Sequence, residues 1–219
     1  FTVTNTNNAG AGSLRQAILD ANGNAGSDNI SFNIPGSGVH TISPLTALPA
    51  ITDPVVIDGY TQSGSSPNSV SGSFSSNAVL TVELSGASLS GSEIGLFVFA
   101  SGCTIRGLVI NDFPHEGIVL QNSGATNCVI EGNFIGTDPT GLLPRGNGFA
   151  GVNLHTSTAN NTVGGSSPAA RNVISDNRGG GVMIQFGSNA NVVYGNLIGS
   201  GADGTTQLVL DPVELLEKL

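Results

Sequence analysis

Lysine is nearly missing from this chain and tryptophan is missing altogether: of 219 residues only six are Lys or Arg, and Lys218 is the single lysine. Fifteen Asp and Glu against six bases leave a formal net charge of -9. Nucleic acid is excluded as a partner by that balance, because its phosphates need clustered Lys and Arg for counterion release. Anionic membrane surfaces are disfavoured for the same reason. Long apolar runs are also lacking, none approaching the ~20 residues of a membrane span. The chain opens at Phe1 without a charged segment and apolar stretch behind it, so the expectation is a soluble protein whose signal peptide, if any, has been removed.

What is present is glycine, 32 residues of it, with abundant Asn, Ser and Thr and only 10% charged residues. Gly and Asn tolerate the left-handed backbone that tight turns demand, so this composition describes short strands and many turns. Hydrophobic residues at 38% are enough for a core, which argues against disorder. No stretch has linker composition, so residues 1–219 are read as a single domain. Low lysine with high Ser, Thr, Asn and Gly is the composition of a bacterial secreted or cell-surface protein.

Internal repetition organises the chain. Four glycines each open a short strand: Gly95-Leu96-Phe97-Val98, Gly117-Ile118-Val119-Leu120, Gly151-Val152-Asn153-Leu154 and Gly181-Val182-Met183-Ile184. A second strand follows each, in Thr104-Ile105-Arg106-Gly107, Val129-Ile130-Glu131-Gly132, Thr162-Val163-Gly164-Gly165 and Val192-Val193-Tyr194-Gly195. A third comes after that, in Leu108-Val109-Ile110, Phe134-Ile135-Gly136, Asn172-Val173-Ile174 and Leu197-Ile198-Gly199. Period-two alternation leaves one apolar face per strand, which one coil cannot bury alone and stacked coils can. Ile105, Ile130, Val163 and Val193 should form one inward column and Ile110, Ile135, Ile174 and Ile198 another. Gly107, Gly132, Gly165 and Gly195 should mark the bend between second and third faces.

The fold expected is therefore all-β, a single-stranded right-handed parallel β-helix of about five to six three-faced coils. Val39–Ile42, Val55–Gly59 and Leu80–Leu84 read as the three faces of one further coil, with a Ser/Gly/Asn insertion from Gln62 to Asn77. Residues 1–29 hold an N-terminal strand and a capping helix: Ser13 and Gln16 form a capping box, Gly23 stops the helix, and Leu14, Ala17, Ile18 and Ala21 share a face. Residues 30–207 are the coils. Residues 208–219 read as a strand and a second capping helix from Asp211-Pro212, whose Leu-Glu-Lys vocabulary marks it as a graft or an engineered end.

Several segments carry a family resemblance: Phe1-Thr2-Val3-Thr4-Asn5-Thr6, Gly12-Ser13-Leu14-Arg15-Gln16-Ala17-Ile18, Ile30-Ser31-Phe32-Asn33-Ile34-Pro35-Gly36, Ile57-Asp58-Gly59-Tyr60-Thr61-Gln62, Gly132-Asn133-Phe134-Ile135-Gly136-Thr137-Asp138 and Ala170-Arg171-Asn172-Val173-Ile174-Ser175. Over residues 1–205 the chain resembles bacterial exported right-handed parallel β-helix repeat proteins of pectin-lyase-like fold. The resemblance implies the fold and does not fix an activity, since that fold also hosts pectin-degrading enzymes. Their distributed aspartates, Gly-His-Gly element, calcium-binding aspartates and catalytic arginine are not recognisable in this sequence.

The richest chemical cluster is Asn111-Asp112-Phe113-Pro114-His115-Glu116. Asp112 and Glu116 with His115 are the residue types of acid–base glycoside cleavage, although one loop carrying them reads first as a solvated turn. Arg106, Arg145, Arg171 and Arg178 would clamp an acidic sugar if they gathered on one face; surface solubility is their ordinary reading. Asp138 and Asp203 lie in similar turns, where Asx-turn hydrogen bonding is favoured over calcium because one carboxylate per turn is a thin oxygen cage. Cys103 and Cys128 fall at one place in successive coils and read as an inward thiol pair. Asn133, Asn177 and Asn196 end strands near turns and read as stacking architecture. His40 and His155 stand alone. Aromatic platforms are few: Phe97, Phe99 and Phe134 sit in strand patterns, with Phe97 or Phe99 alternating faces. The expectation is a non-catalytic exported scaffold or binding module whose partners are carbohydrate or cell-surface components, with no cofactor. The alternatives are a polysaccharide lyase or glycoside hydrolase, and a surface adhesin.

Overall fold

After the first two strands, which pair with each other, sequential strands of this chain do not pair; each pairs with the strand one repeat away. A computed structural model describes residues 1–208; of the strand and capping helix expected over residues 208–219, all but Leu208 lies outside them. The seven-stranded sheet holds β1 (Thr2–Val3), β2 (Asp28–Phe32), β4 (Val55–Asp58), β7 (Thr104–Arg106), β10 (Val129–Glu131), β13 (Thr162–Gly164) and β16 (Val192–Tyr194). The six-stranded sheet holds β3 (His40–Ile42), β5 (Val82–Ser85), β8 (Val109–Asn111), β11 (Phe134–Ile135), β14 (Val173–Ile174) and β17 (Leu197–Ile198). The four-stranded sheet holds β6 (Leu96–Val98), β9 (Ile118–Gln121), β12 (Ala150–His155) and β15 (Gly180–Gln185). All pairings among these strands are parallel. Three parallel sheets visited in rotation, with one α-helix among the described residues, make an arrangement of the parallel β-solenoid kind.

The apolar columns follow the register. Ile30, Ile57, Ile105, Ile130, Val163 and Val193 pair in succession across the seven-stranded sheet. Ile42, Leu84, Ile110, Ile135, Ile174 and Ile198 do so across the six-stranded one. From Ile30 to Val163 the first column is 0% exposed, and burying each such side chain is worth roughly 1.5–3 kcal/mol. Ile198, last in its column with no described strand beyond it, is 51% exposed.

The reading of the early segments needs one correction. β3 pairs directly with β5, His40 against Val82 and Ile42 against Leu84, so Val39–Ile42, Val55–Gly59 and Leu80–Leu84 are not one coil. β3 belongs to the turn before, following β2. Between β3 and β4 the four-stranded sheet is extended only by Ile51, which bridges Val98. Pro44, Pro49 and Pro54 punctuate that stretch, and proline, which cannot donate to a ladder, does not sustain a longer strand.

Helix α1 (Leu14–Asn22) buries Leu14, Ala17, Ile18 and Ala21 in the same cluster as Val3, Ile30 and Phe32. Ser13 Oγ accepts the Gln16 N–H at 3.2 Å, but the reciprocal arm of the capping box is not made. The Ser13 N–H donates to Gly10 O, and the Gln16 amide donates to Asp20. Gly23 ends the helix at φ -89°, without a left-handed turn.

At the bend after the seven-stranded sheet Gly107, Gly132 and Gly195 have φ of 71°, 64° and 74°, a conformation glycine adopts without strain. Tyr60 lies over this corner, its hydroxyl donating to Gly132 O at 2.6 Å. Burial, then the Glu131 and Asp58 carboxylates, push its phenol above the ordinary value. In the third repeat the left-handed residue is Gly164 at 94°, one position before Gly165.

Asparagine ladders run along three corners. Asn133, Asn172 and Asn196 form one, Asn147 and Asn177 a second, Asn161 and Asn191 a third. In each, an Asn Oδ1 accepts the backbone N–H and the side-chain amide of the preceding Asn. The corner backbone groups that cannot join a sheet are thereby satisfied. Asn177 thus belongs to a different column from Asn133 and Asn196.

The Gln62–Asn77 insertion is a strap along the outer face of the six-stranded sheet. Asn68 Nδ2 donates to Pro168 O at 3.0 Å, Arg171 Nη1 donates to Ser73 O at 2.9 Å and Ser75 O at 2.6 Å, and Ser76 N–H donates to Ala202 O at 2.6 Å. Beneath it lies a second apolar cluster of Leu80, Val109, Phe134, Val173, Leu197 and Ala202. The outer face of this sheet is therefore covered.

Candidate functional site

The loop after β8 turns sharply at Asp112, which has φ of 55°, a conformation Asp reaches more easily than most residues because its short side chain bonds locally. Its carboxylate is claimed by Arg145: Nε donates to Oδ1 at 3.1 Å and Oδ2 at 2.9 Å, and Nη2 is paired with Oδ2. Ser85 Oγ adds a donor at 3.3 Å. Hydrogen bonding to Asp112, with its charge, outweighs partial burial and raises the Arg145 guanidinium above its ordinary value. Phe113 is 1% exposed and packs in the main core, separating Asp112 from the rest of the loop along the chain.

Beyond Pro114, His115 and Glu116 form a pair of their own. Glu116 is 4% exposed; its Oε2 is hydrogen-bonded with His115 Nδ1, and its Oε1 accepts Asn153 Nδ2 at 3.0 Å. The His115 ring packs 5.3 Å from Phe149. The two loop carboxylates thus answer to different partners, Arg145 for Asp112 and His115 with Asn153 for Glu116. A third buried carboxylate, Glu83, accepts Thr41 Oγ1 at 2.6 Å and Asn111 Nδ2 at 2.9 Å. Sequence reasoning missed it, because a single Glu alternating with Leu and Val reads as an outward surface residue. Among the described residues the buried Oδ1 atoms of Asn111 and Asn153 have no hydrogen-bond partner.

The arginines do not gather. Arg106 bonds Asp58 at 2.7 Å on the seven-stranded sheet, Arg145 pairs with Asp112, and Arg171 holds the strap. Asp138 accepts Thr140 Oγ1 and the N–H groups of Leu142 and Leu143; Asp203 accepts the N–H groups of Thr205 and Thr206 and the Thr206 hydroxyl. Burial alone would raise Asp138, but these donors outweigh it and hold its carboxyl below the ordinary value. The donors to Asp203 lower it too, the Thr206 hydroxyl foremost. Each hairpin is closed by an antiparallel bridge, Thr137 to Pro144 and Ser200 to Gln207. Among the described residues no three His, Cys, Asp or Glu side chains gather in a metal-binding group.

Cys103 and Cys128 are free, buried thiols. Donation to the Cys128 sulfur, then burial, pushes the Cys103 thiol upward, away from the reactive thiolate. His40 is buried, its Nε2 without a partner among the described residues, and His155 bonds Thr156 and packs on Phe186. Phe97 and Phe99 do not alternate faces. Phe97 lies on β6 and Phe99 just past its end, and their ring centroids come within 4.4 Å.

No protein-family model matches the chain, and no curated protein matches it. Among the described residues no helix is long and apolar enough to cross a membrane.

Proposed function

We propose that this chain is a non-catalytic exported scaffold or surface-binding module, a member of the bacterial β-helix repeat proteins it resembles. Its architecture in this reading is a right-handed parallel β-helix of five to six coils with α1 as its N-terminal cap. The handedness follows from the strong preference of crossovers between parallel strands of one sheet. The cap follows from the buried helix face against β1 and β2, since a solenoid must cover its terminal apolar interior.

One observation carries the non-catalytic reading. Glycoside cleavage needs one carboxyl to give a proton and a second to act as base or nucleophile across the same bond. Asp112 is held in a forked ion pair with Arg145 and Glu116 is buried against Asn153 and His115, so each carboxylate has a structural use. Asp138 and Asp203 are likewise spent on turn hydrogen bonds, and calcium would have to displace those donors. In this reading no cofactor is required. The partner is a carbohydrate or another cell-surface component, and the location is bacterial, secreted or on the cell surface.

Incubation with a panel of acidic and neutral polysaccharides, followed by reducing-end and unsaturated-product assays, tests this. The expected result is no turnover, with saturable binding to any true partner. Turnover abolished in Glu116→Gln would overturn the reading in favour of a lyase or hydrolase.

A further inference from the structure

Beside β6 lies a groove of about 370 Å³ lined by Ala47, Leu48, Ser92, Glu93, Ile94 and Phe97, a size suited to a small ligand. The register builds it. Ile51 is the one residue stacked above β6: its N–H donates to Phe97 O at 2.7 Å and its carbonyl accepts the Phe99 N–H at 2.9 Å. The segment before Ile51 therefore stands beside the Phe97 ring as a wall. Arg15 fixes that wall by donating to Thr46 O at 2.8 Å and Ala47 O at 2.7 Å. The other wall is set where His115 N–H donates to Glu93 O at 3.3 Å and Gly91 N–H donates to Glu93 Oε2 at 2.8 Å.

We propose that this groove binds a small alkylammonium cation, with Glu93 as countercharge and Phe97, backed by Phe99, as the aromatic face. Glu93 is the only charged residue of the lining, and among the described residues it makes no ion pair. The donors of Arg15, the cation that braces one wall, go to the carbonyls of Asn8, Thr46 and Ala47 and to neighbouring side-chain oxygens, and Arg106 is paired with Asp58. Ring faces attract cations through their quadrupole, and a ring beside a carboxylate favours a substituted ammonium. Ala47, Leu48 and Ile94 offer apolar contact for its alkyl groups. A hard metal ion would find one carboxylate and too few oxygens. The net charge of -9 draws cations toward the surface.

This inference rests on the binding-module reading, yet the two fail separately: polysaccharide turnover would remove that reading without touching the groove. Choline and tetramethylammonium are titrated into the full chain by calorimetry and NMR, against 3,3-dimethyl-1-butanol as the uncharged isostere of choline. Saturable binding is expected, about tenfold or more tighter for choline than for the isostere, and weakened about tenfold in Glu93→Gln and in Phe97→Ala. Phe97→Tyr keeps the ring and should keep binding, which guards against misfolding of the alanine variant. Equal affinity for the isostere, binding that does not saturate, or full affinity in Glu93→Gln would overturn the proposal.

Discussion

Asn172→Ala removes a rung from the longest asparagine ladder. Asn172 is 0% exposed. Its Oδ1 accepts the Asn133 N–H at 2.9 Å, and its Nδ2 donates to Ile130 O at 2.8 Å and Asn196 Oδ1 at 2.8 Å. Truncation strips the side-chain partner from one buried backbone donor and one buried backbone acceptor, while the Asn133 side chain keeps Ile105 O at 2.9 Å. Each orphaned buried group costs on the order of 1–3 kcal/mol, giving about 2–6 kcal/mol in all. That is a large part of the 5–15 kcal/mol of a typical domain. Asn196, on the last described rung and half-buried, should cost about 1 kcal/mol or less when truncated, because water can replace its lost bonds. Urea unfolding gives the two costs, and hydrogen exchange at the Asn133 amide locates the damage. Equal costs for Asn172→Ala and Asn196→Ala, or an Asn133 amide still protected in the first variant, would refute the reasoning.

Arg171→Ala removes the donors to Ser73 O and Ser75 O; limited proteolysis should then cut the strap faster within residues 69–76, and an unchanged cleavage rate would contradict its role as a clasp. Intact mass without reductant should show both thiols, and a thiol reagent should modify Cys103 and Cys128 only on unfolding; a mass lower by two hydrogens would contradict this. The depressed Asp138 pKa means that its hairpin is stabilised at neutral pH and above the unfolded value, and loses that contribution only as pH falls through the lower folded value. Amide shifts of Leu142 and Leu143 should therefore titrate with a midpoint below about 3.9, the ordinary Asp value.

Columns were legible in the sequence because they depend on local alternation: Ile105, Ile130 and Val163 each sit mid-strand before a glycine bend. What was illegible depends on chain that comes back from far away. Nothing near Glu83 shows that Asn111 will cover it, and nothing in Gln62–Asn77 shows that it reaches Arg171 and Ala202. The misplacement of Val39–Ile42 has a similar cause. The four-stranded sheet is reduced to Ile51 in that turn, and a single bridging residue leaves no periodic signal. For the loop at 111–116, residue types were readable, but the division of Asp112 from Glu116 required Arg145 and Asn153, which lie well downstream. Phe97 and Phe99 were misassigned by parity, since positions two apart along extended chain share a face, and Phe99 follows directly on the end of β6.

Methyl-labelled NMR of Ile and Val tests the stacking directly. The account predicts, within this column, an unbroken chain of contacts from Ile30 through Ile57, Ile105 and Ile130 to Val163, each rung touching the next in that order. Contacts that skip a rung, such as Ile57 to Ile130 without Ile105, or no contact between Ile105 and Ile130, would contradict it.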